Sequence, residues 1–591
     1  MVGVTGRFRL DALSMGGLGA CLSLLSLPGL RALPWKHFVH ELGKGSRWLT
    51  LLLLLVCLSS FLQGLAPPND YDSLMYHLAV PKSDIERGFI APDWARGMPH
   101  AMFPDLVGNL SRFALALAGE QAAQPMAALL GMAATCGAGL LAIRVGLSTN
   151  GALLAALIFA SVRAVVWEMG TVEVDVPLAA SAAAALIVLL ASRPHPKLGL
   201  MLLLGIMLGI GFNTKYQGGL VAVALALIPV YDWMQRKTSF AALVVMGASA
   251  LVVFAPHMYA NWSITGNPVF PMVNKIFVPD GVAFYQDYNL TYGTGRNFVD
   301  FLMAPWTLSI APMQLFDGMV LGAPVFMALM PGLLASRKQL TNLGPIFAFV
   351  VGYFALWFYV QPQQVRFLIP ATPALSALAG AGALCLWQAS KTSAAKRLGV
   401  ICVFLLLGLN EAMFVGIYSL LRLPAALGFV SPLDYHAKTP TLQGANYATC
   451  VYITENLKPG ERYLSLLGPH SYYCPQIQTQ LRYFKDEERD WLWDKPRHKI
   501  GFTDFLARLE KQDIRFVIVP VAGENRRNDT GAPVSVAIDF NESRFGPFIE
   551  PAIRRLTPVA TERFSAVYDG AQVLKAMRDM HSSGDYAGEA R

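Results

Sequence analysis

Between Pro67 and Asp105 the stretch PPNDYDSLMYHLAVPKSDIERGFIAPDWARGMPHAMFPD gathers Asp70, Tyr71, Asp72, Tyr76, His77, Lys82, Asp84, Glu86, Arg87, Trp94, Arg96 and His100. Carboxylates, imidazoles and phenols exchange protons, and lysine and arginine hold anions, so this density reads as a site rather than a connector. It begins where the apolar run WLTLLLLLVCLSSFLQGLA (Trp48 to Ala66) stops. Asp70 and Asp72 therefore stand at the mouth of a membrane span, at the water's edge. A local role is the alternative: Asp and Ser are good helix N-caps, and Asp72-Ser73 precedes an apolar run. One residue can do both.

Other ionisable residues fall at similar places. Asp175, with Glu173 two positions before it in GTVEVD, opens a later apolar run with Pro177 close behind, the arrangement of an N-cap and first turn. It either caps that helix or joins Asp72 around a substrate. Lys215 in NTKYQ and Arg366 in QPQQVR are cations at span ends. They either snorkel to the interface or bind an anion there.

The elements that position these residues are membrane helices. Hydrophobic residues make up 54% of the 591 and charged ones 15%, against about 25% charged in a soluble domain, and the mean hydropathy is +0.43. This is a polytopic membrane protein, and its net charge of +8 reflects topogenic Lys and Arg in short loops rather than nucleic-acid binding. After Arg7 and Arg9 an apolar segment runs from Leu10 to about Leu33, resembling a signal anchor without a cleavage pattern. Further runs, each near the ~20 residues a bilayer requires, fall at about 48–66, 121–143, 147–165, 176–192, 198–213, 217–231, 240–260, 317–335, 342–360, 366–390 and 398–422. Arg144, Arg193 with Lys197, Arg236 with Lys237, Arg337 with Lys338, and Lys391 with Lys396 and Arg397 occupy every second gap. One threading satisfies the positive-inside rule throughout. It makes external the loop 67–105, GTVEVD, NTKYQ, the long loop 261–316 with its aromatic residues, QPQQVR and the C-terminus.

Beyond about 430 the composition turns soluble. TLQGANYATCVYITENL reads as a helix stopping at Lys458-Pro459-Gly460, and RYLSLLG as a buried strand; TDFLARLEKQ and IRFVIVPV repeat the order. Residues 431–580 thus form a small α/β domain outside the membrane, and 581–591 a disordered tail. Cys450 and Cys474 are the two cysteines of this domain, the other five lying in apolar runs. An oxidising compartment and neighbouring elements predict that they pair, the alternative being two free thiols.

The ordered set NDYDSLMYH, Pro81-Lys82, Phe103-Pro104, VEVDVPLAA, TGNPVFP (Thr265 to Pro271) and RFLIPATPALSALAG (Arg366 to Gly380), closed by a soluble domain, resembles the GT-C superfamily of membrane glycosyltransferases that use lipid-phosphate-linked sugars. It is nearest to the bacterial branch of protein O-mannosyltransferases and aminoarabinose transferases, although NDYD replaces the Asp-Glu pair typical of the former. The resemblance implies a GT-C-like fold of about 11–13 transmembrane helices over residues 1–430, with an extracytoplasmic α/β domain after it. It implies transfer of a sugar from a polyprenyl phosphate to a hydroxyl of a glycan, lipid or protein acceptor, inverting, at the external face of a bacterial inner membrane. Such transfer needs a base for the acceptor proton and cations for the departing phosphate. Asp72 is the first choice of base, then Asp70, with Asp175 beside them. Arg366 is the better phosphate ligand because its fork is bidentate, with Lys215 and Lys82 assisting. Tyr76, His77 and Glu173 are substrate-binding candidates. No cofactor and no metal ligand set is indicated, and the nucleotide-phosphate loop, HExxH and CxxC patterns are absent from the sequence. A transporter or flippase of a lipid-linked or small polar substrate is the rival class; it would place ionisable residues at mid-depth. A receptor or scaffold would leave the span-end acids unexplained.

Overall fold

A computed structural model describes residues 40, 43–90, 99–193, 196–284, 293–310, 323–334, 340–438, 446–467, 472–475, 479–521, 545–562 and 565–583. The apolar segment 10–33, Trp94, Arg96, Tyr285, Tyr288, Tyr292 and the tail 584–591 lie outside them. Residues 581–583 of the expected tail instead end the last helix, Gly570–Ser583.

The apolar runs are helices wherever they are described. α1 (Arg47–Gln63) leads through a π-turn at Ser73–His77 into α2 (Ala79–Arg87), so the polar stretch is partly helical rather than an irregular loop. α3 (Leu106–Ala118) and α4 (Glu120–Arg144) follow. α5 (Thr149–Ser161) and α6 (Arg163–Met169) meet at a bend of 72°. Then come α7 (Asp175–Ser192), α8 (Leu198–Thr214), α9 (Gly218–Met234), α10 (Phe240–Thr265), α11 (Phe298–Ile310), α12 (Ala323–Leu329), α13 (Leu343–Val360), α14 (Thr372–Ser390) and α15 (Ala394–Ala426). Among the described residues six helices are long and apolar enough to cross a membrane, seven with the bent pair, and five shorter apolar helices accompany them.

Two of these elements are absent from the sequence reading. α11 lies inside the long loop 261–316, which is therefore not all irregular. α3 carries Arg112 in an apolar context, a charge that masks the helix in hydropathy. The charge is neutralised: Arg112 donates to Asp84 through Nε at 2.9 Å and Nη2 at 2.6 Å, and to Asp105 through Nη1 at 2.6 Å. Asp84 and Asp105 thus staple α2 to α3, so part of the polar density of the first loop is structural.

Close packing in the bundle comes from small residues, which let helix backbones approach where the lipid supplies no hydrophobic drive. Gly205 and Gly209 of α8 face α10: a Cβ on Gly205 would lie 2.1 Å from the Met246 carbonyl oxygen, and one on Gly209 2.8 Å from that of Ala250. α7 and α8 run in opposite directions, the start of one meeting the end of the other. Asp175 begins α7, Lys215 follows the end of α8, and Arg366 opens the turn into α14, so all three lie at one end of the bundle. Arg144, Arg193 and Lys197 lie at the opposite ends of α4, α7 and α8.

After α16 (Pro432–Lys438) the chain enters the α/β domain, α17 (Tyr447–Asn456), β1 (Arg462–Ser465), β2 (Gln480–Leu481), α18 (Phe502–Glu510), β3 (Ile514–Pro520), α19 (Gly546–Ile553), β4 (Ala560–Thr561), β5 (Ser565–Asp569) and α20 (Gly570–Ser583). The sheet order is β2-β1-β3-β5-β4. β1 runs parallel to β2 and β3, as a crossover through a helix requires, and β5 returns antiparallel. In α18 the apolar positions Phe502, Phe505, Leu506 and Leu509 fall on one face and are buried. Cys450 and Cys474 form the expected disulfide, with Cα atoms 4.2 Å apart.

Candidate active site

The turn after α1 separates the roles that the sequence left joined in Asp70 and Asp72. Asp70 Oδ1 accepts from the Ser73 backbone N–H at 2.9 Å and so caps the π-turn. Its Oδ2 is buried without a partner, and burial raises this carboxyl. Asp72 makes no cap hydrogen bond. Its Oδ2 instead accepts from Arg366 Nη1 at 2.6 Å, across 294 residues of sequence. π-turns interrupt the regular backbone most often at functional sites, and here the turn presents Asp72, Tyr76 and His77 together.

The segment between α6 and α7 supplies the second wall. The Val172 N–H donates to Ser73 Oγ at 3.2 Å, which ties this segment to the turn. Glu173, 1% exposed, reaches the same Arg366 nitrogen at 3.4 Å. Glu168 Oε2 accepts from the Val176 N–H at 3.0 Å, so Glu168 and not Asp175 caps α7. Asp175 is free for Lys215, whose Nζ donates to both its oxygens at 2.8 and 2.9 Å. Lys215 and Arg366 both lie against the Phe367 ring, at 4.4 and 5.3 Å from its centroid. Both are largely buried and held by carboxylates, which is not the geometry of snorkelling side chains.

Two carboxylates around one guanidinium are driven apart electrostatically. Burial would raise the Asp72 carboxyl, but the adjacent Arg366 charge outweighs it and holds Asp72 below the usual carboxylate range. Burial, and then the charge of Asp72, raise Glu173 well above that range. Asp72 is thus the ionised partner and Glu173 the protonated one, the pattern that marks base and acid in a shared site. Burial pushes His77 down to about 3, leaving a neutral imidazole. Its Nε2 has no hydrogen-bond partner and lies 3.9 Å from Glu173 Oε2.

Asp72, His77 and Glu173 each offer a ligand atom, all within 4.8 Å of one another. Two carboxylate oxygens and a neutral imidazole suit a divalent cation, whose binding would ionise Glu173. Such a cation and Arg366 compensate the same charges. Sequence reading names no metal ligands, since 96 positions separate two of these residues and nothing in their local patterns links them.

Aromatic groups extend the site away from Asp72. The Tyr76 ring stacks on His100 at 4.9 Å, His100 lies 4.8 Å from Phe103, and Phe103 meets Tyr216 edge-on at 5.8 Å. Tyr216 donates to the Phe270 carbonyl at 2.7 Å. Lys82 does not join the acid and arginine cluster. Its Nζ donates to the Tyr472 carbonyl at 2.6 Å and lies over the Tyr472 ring, because α2 turns that face toward the α/β domain. Of the long-loop aromatics, Tyr259, Trp262 and Trp306 are exposed as a membrane belt requires, whereas Phe270 is buried against Phe284.

The fold, with this site at one end of its bundle, is shared with solved structures of ArnT. The crystal structure of ArnT from Cupriavidus metallidurans bound to undecaprenyl phosphate superposes with a TM-score of 0.53 at 16% identity, covering 88% of this chain and 98% of that one. The apo form of the same protein gives 0.52 at 16% identity, over 89% and 98%. Residues 106–260 match the family model of dolichyl-phosphate-mannose-protein mannosyltransferases. No curated protein sequence matches the chain.

Proposed function

We propose that this protein is an inverting glycosyltransferase that moves a sugar from a polyprenyl-phosphate donor to a hydroxyl of a cell-envelope acceptor, a lipid, glycan or protein. The Arg366–Asp72 pair carries the reading: a phosphate ligand and a base held at 2.6 Å, at the bundle end where the polar loops gather. An arriving phosphate competes with Asp72 for the guanidinium, since both accept its fork. As Arg366 turns to the phosphate, Asp72 loses the charge that keeps it weakly basic and gains affinity for the acceptor's proton. The acceptor oxygen then bonds to the anomeric carbon as the bond from that carbon to the phosphate oxygen breaks. The proton goes to Asp72, and the polyprenyl phosphate leaves with the electron pair, stabilised by Arg366 and Lys215. In-line displacement inverts the anomeric centre.

Tyr76, His77 and Glu173 border this reaction space and are the substrate-binding residues in the proposal; Asp70, committed to capping, and Asp175, committed to Lys215, are the reserve bases. Lys82 is dropped as a phosphate ligand. The donor class is supported by the like-folded ArnT with its undecaprenyl phosphate. The positive-inside pattern supports a site and an α/β domain on the external side of the membrane, the periplasmic side of a bacterial inner membrane in this proposal. Undecaprenyl phosphate titrated into the protein in lipid nanodiscs tests the donor site: saturable binding that Arg366→Ala weakens is expected, and binding indifferent to that change refutes it. Comparing cell-envelope glycans by mass spectrometry, with and without the protein, identifies the product. One observation favours the carrier alternative: Glu411 is buried in the middle of α15, with its Oε2 unpartnered. Glu411→Gln is expected to leave transfer intact; loss of lipid translocation without loss of transfer would favour the carrier.

A further inference from the structure

Among the described residues, the segment Tyr472 to Pro475 of the α/β domain reaches the turn that presents Asp72. The Tyr472 ring is buried in a cluster with Leu74, Leu78, Val172 and Val174. Leu74 and Leu78 belong to the turn that presents Asp72, and Val172 and Val174 bracket Glu173. One cluster thus joins this side chain to both segments that carry the carboxylates. The hydroxyl of Tyr472 donates to Glu120 Oε2 at 3.1 Å, at the start of α4, while its carbonyl accepts from Lys82. Next to it, the Tyr473 hydroxyl donates to the Pro68 carbonyl at 2.7 Å, two residues before Asp70. Behind these tyrosines, Cys474 is bonded to Cys450 of α17. Both sulfurs are buried in a cluster with Tyr463 of β1, Ile518 of β3 and Val567 of β5, so the segment is fastened to the sheet.

We infer that Tyr472 and Tyr473, anchored by the Cys450–Cys474 disulfide, are positioning residues that set the spacing of Asp72 and Glu173 about Arg366, an inference that rests on the function proposed above. Neither tyrosine touches Asp72 or Arg366 among the hydrogen bonds described, so each acts through the segments it packs against. The disulfide matters because it fixes this segment to the sheet on one side while its aromatic rings grip the membrane domain on the other. Displacing a base by about 1 Å costs on the order of a hundredfold in rate. The inferred clamp therefore makes transfer depend on the oxidised state of the α/β domain.

The test uses the full chain in lipid nanodiscs, comparing Cys450→Ser/Cys474→Ser, Tyr472→Ala and Tyr472→Phe. Loss of the clamp is expected to lower kcat by roughly tenfold or more with the donor KM within about threefold of wild type. Tyr472→Phe, which keeps the ring, is expected to retain most of kcat. Wild-type kcat in both the disulfide variant and Tyr472→Ala overturns the inference, and so does an equal loss in Tyr472→Phe. Hydrogen exchange supplies a readout independent of turnover. Backbone amides of 73–79 and 172–176 are expected to exchange faster in Tyr472→Ala, which keeps the disulfide and so decides the matter should the cysteine variant fail to insert. Unchanged exchange there refutes the clamp. Wild-type protein that binds donor but transfers no sugar refutes the proposed function instead, and leaves the exchange result to judge the clamp alone.

Discussion

Asp72→Asn separates proton transfer from everything else that Asp72 does. The amide is nearly isosteric, and its oxygen still accepts from Arg366, so the 2.6 Å contact survives in its neutral form. A second carboxyl stays beside it: Glu173 lies 3.4 Å from the same Arg366 nitrogen, and loss of the Asp72 charge removes the largest cause after burial that raises it. The buried guanidinium therefore keeps polar partners, which limits the cost of stranding its charge. What is lost is the base, whose removal costs about 10²- to 10⁴-fold in rate, or roughly 2.7–5.4 kcal/mol of barrier at 1.36 kcal/mol per decade. Turnover of the lipid-linked donor at saturation, with undecaprenyl phosphate binding and thermal unfolding measured on the same nanodisc preparation, distinguishes these effects. The expected result is lost turnover with binding and unfolding close to wild type. Turnover above about a tenth of wild type, below the range a general base supplies, would move the base to Asp70 or Asp175.

Removing the charge-assisted bond in Arg366→Ala is expected to cost about 1.5–3 kcal/mol of donor binding, a roughly ten- to hundredfold weaker apparent affinity; a change in unfolding temperature alone would make Arg366 purely structural. The same variant is expected to move upward in pH the acidic limb of its residual kcat/KM, which reports the free enzyme. In wild type Asp72 is held low, so the base is lost only as pH falls below the usual carboxylate range; without Arg366 burial dominates and the carboxyl protonates at higher pH, and a limb that stays in place contradicts this. In a background lacking the free cysteines, Gln217→Cys, beside Lys215, is expected to react with an impermeant external reagent and Gln235→Cys, beside Lys237, to be protected; the reverse pattern overturns the threading. Gly205→Leu is expected to lower thermal stability by about 1–3 kcal/mol through overpacking, because the new Cβ meets the Met246 carbonyl at 2.1 Å; an unaltered unfolding temperature refutes that contact.

The sequence made legible whatever depends on position relative to a span. Asp72 and Arg366 stand at the ends of apolar runs on the same side of one threading, and the structure joins them. The α/β domain was legible because helical rhythm and strand runs alternate, and its cysteine pair because a helix and the strand after it pack together. Partner choice was not legible. Lys82 carries the same charge as Lys215, but α2 aims it at Tyr472 while the end of α8 aims Lys215 at Asp175. Glu168 escaped notice because it lies in a short helix after a bend, and only that bend brings its carboxylate to the start of α7. Asp84 counted toward the polar density of the first loop until Arg112, a lone charge in an apolar run, claimed it together with Asp105. A lone Arg in such a run is itself the signal that acids must meet it.

The bond from Tyr473 to the Pro68 carbonyl spans 405 residues. During synthesis the acids of the first loop are made early, whereas Arg366 and the two tyrosines are made late. A nascent chain therefore carries Asp72 and Glu173 through most of its insertion with neither the guanidinium nor the tyrosines beside them, and contacts so distant in sequence form slowly. On the proposed function and the inferred clamp, competence for transfer would wait for the last domain to dock. A chain cut short near residue 430 would lack Tyr472 and Tyr473 beside the two carboxylate-bearing segments.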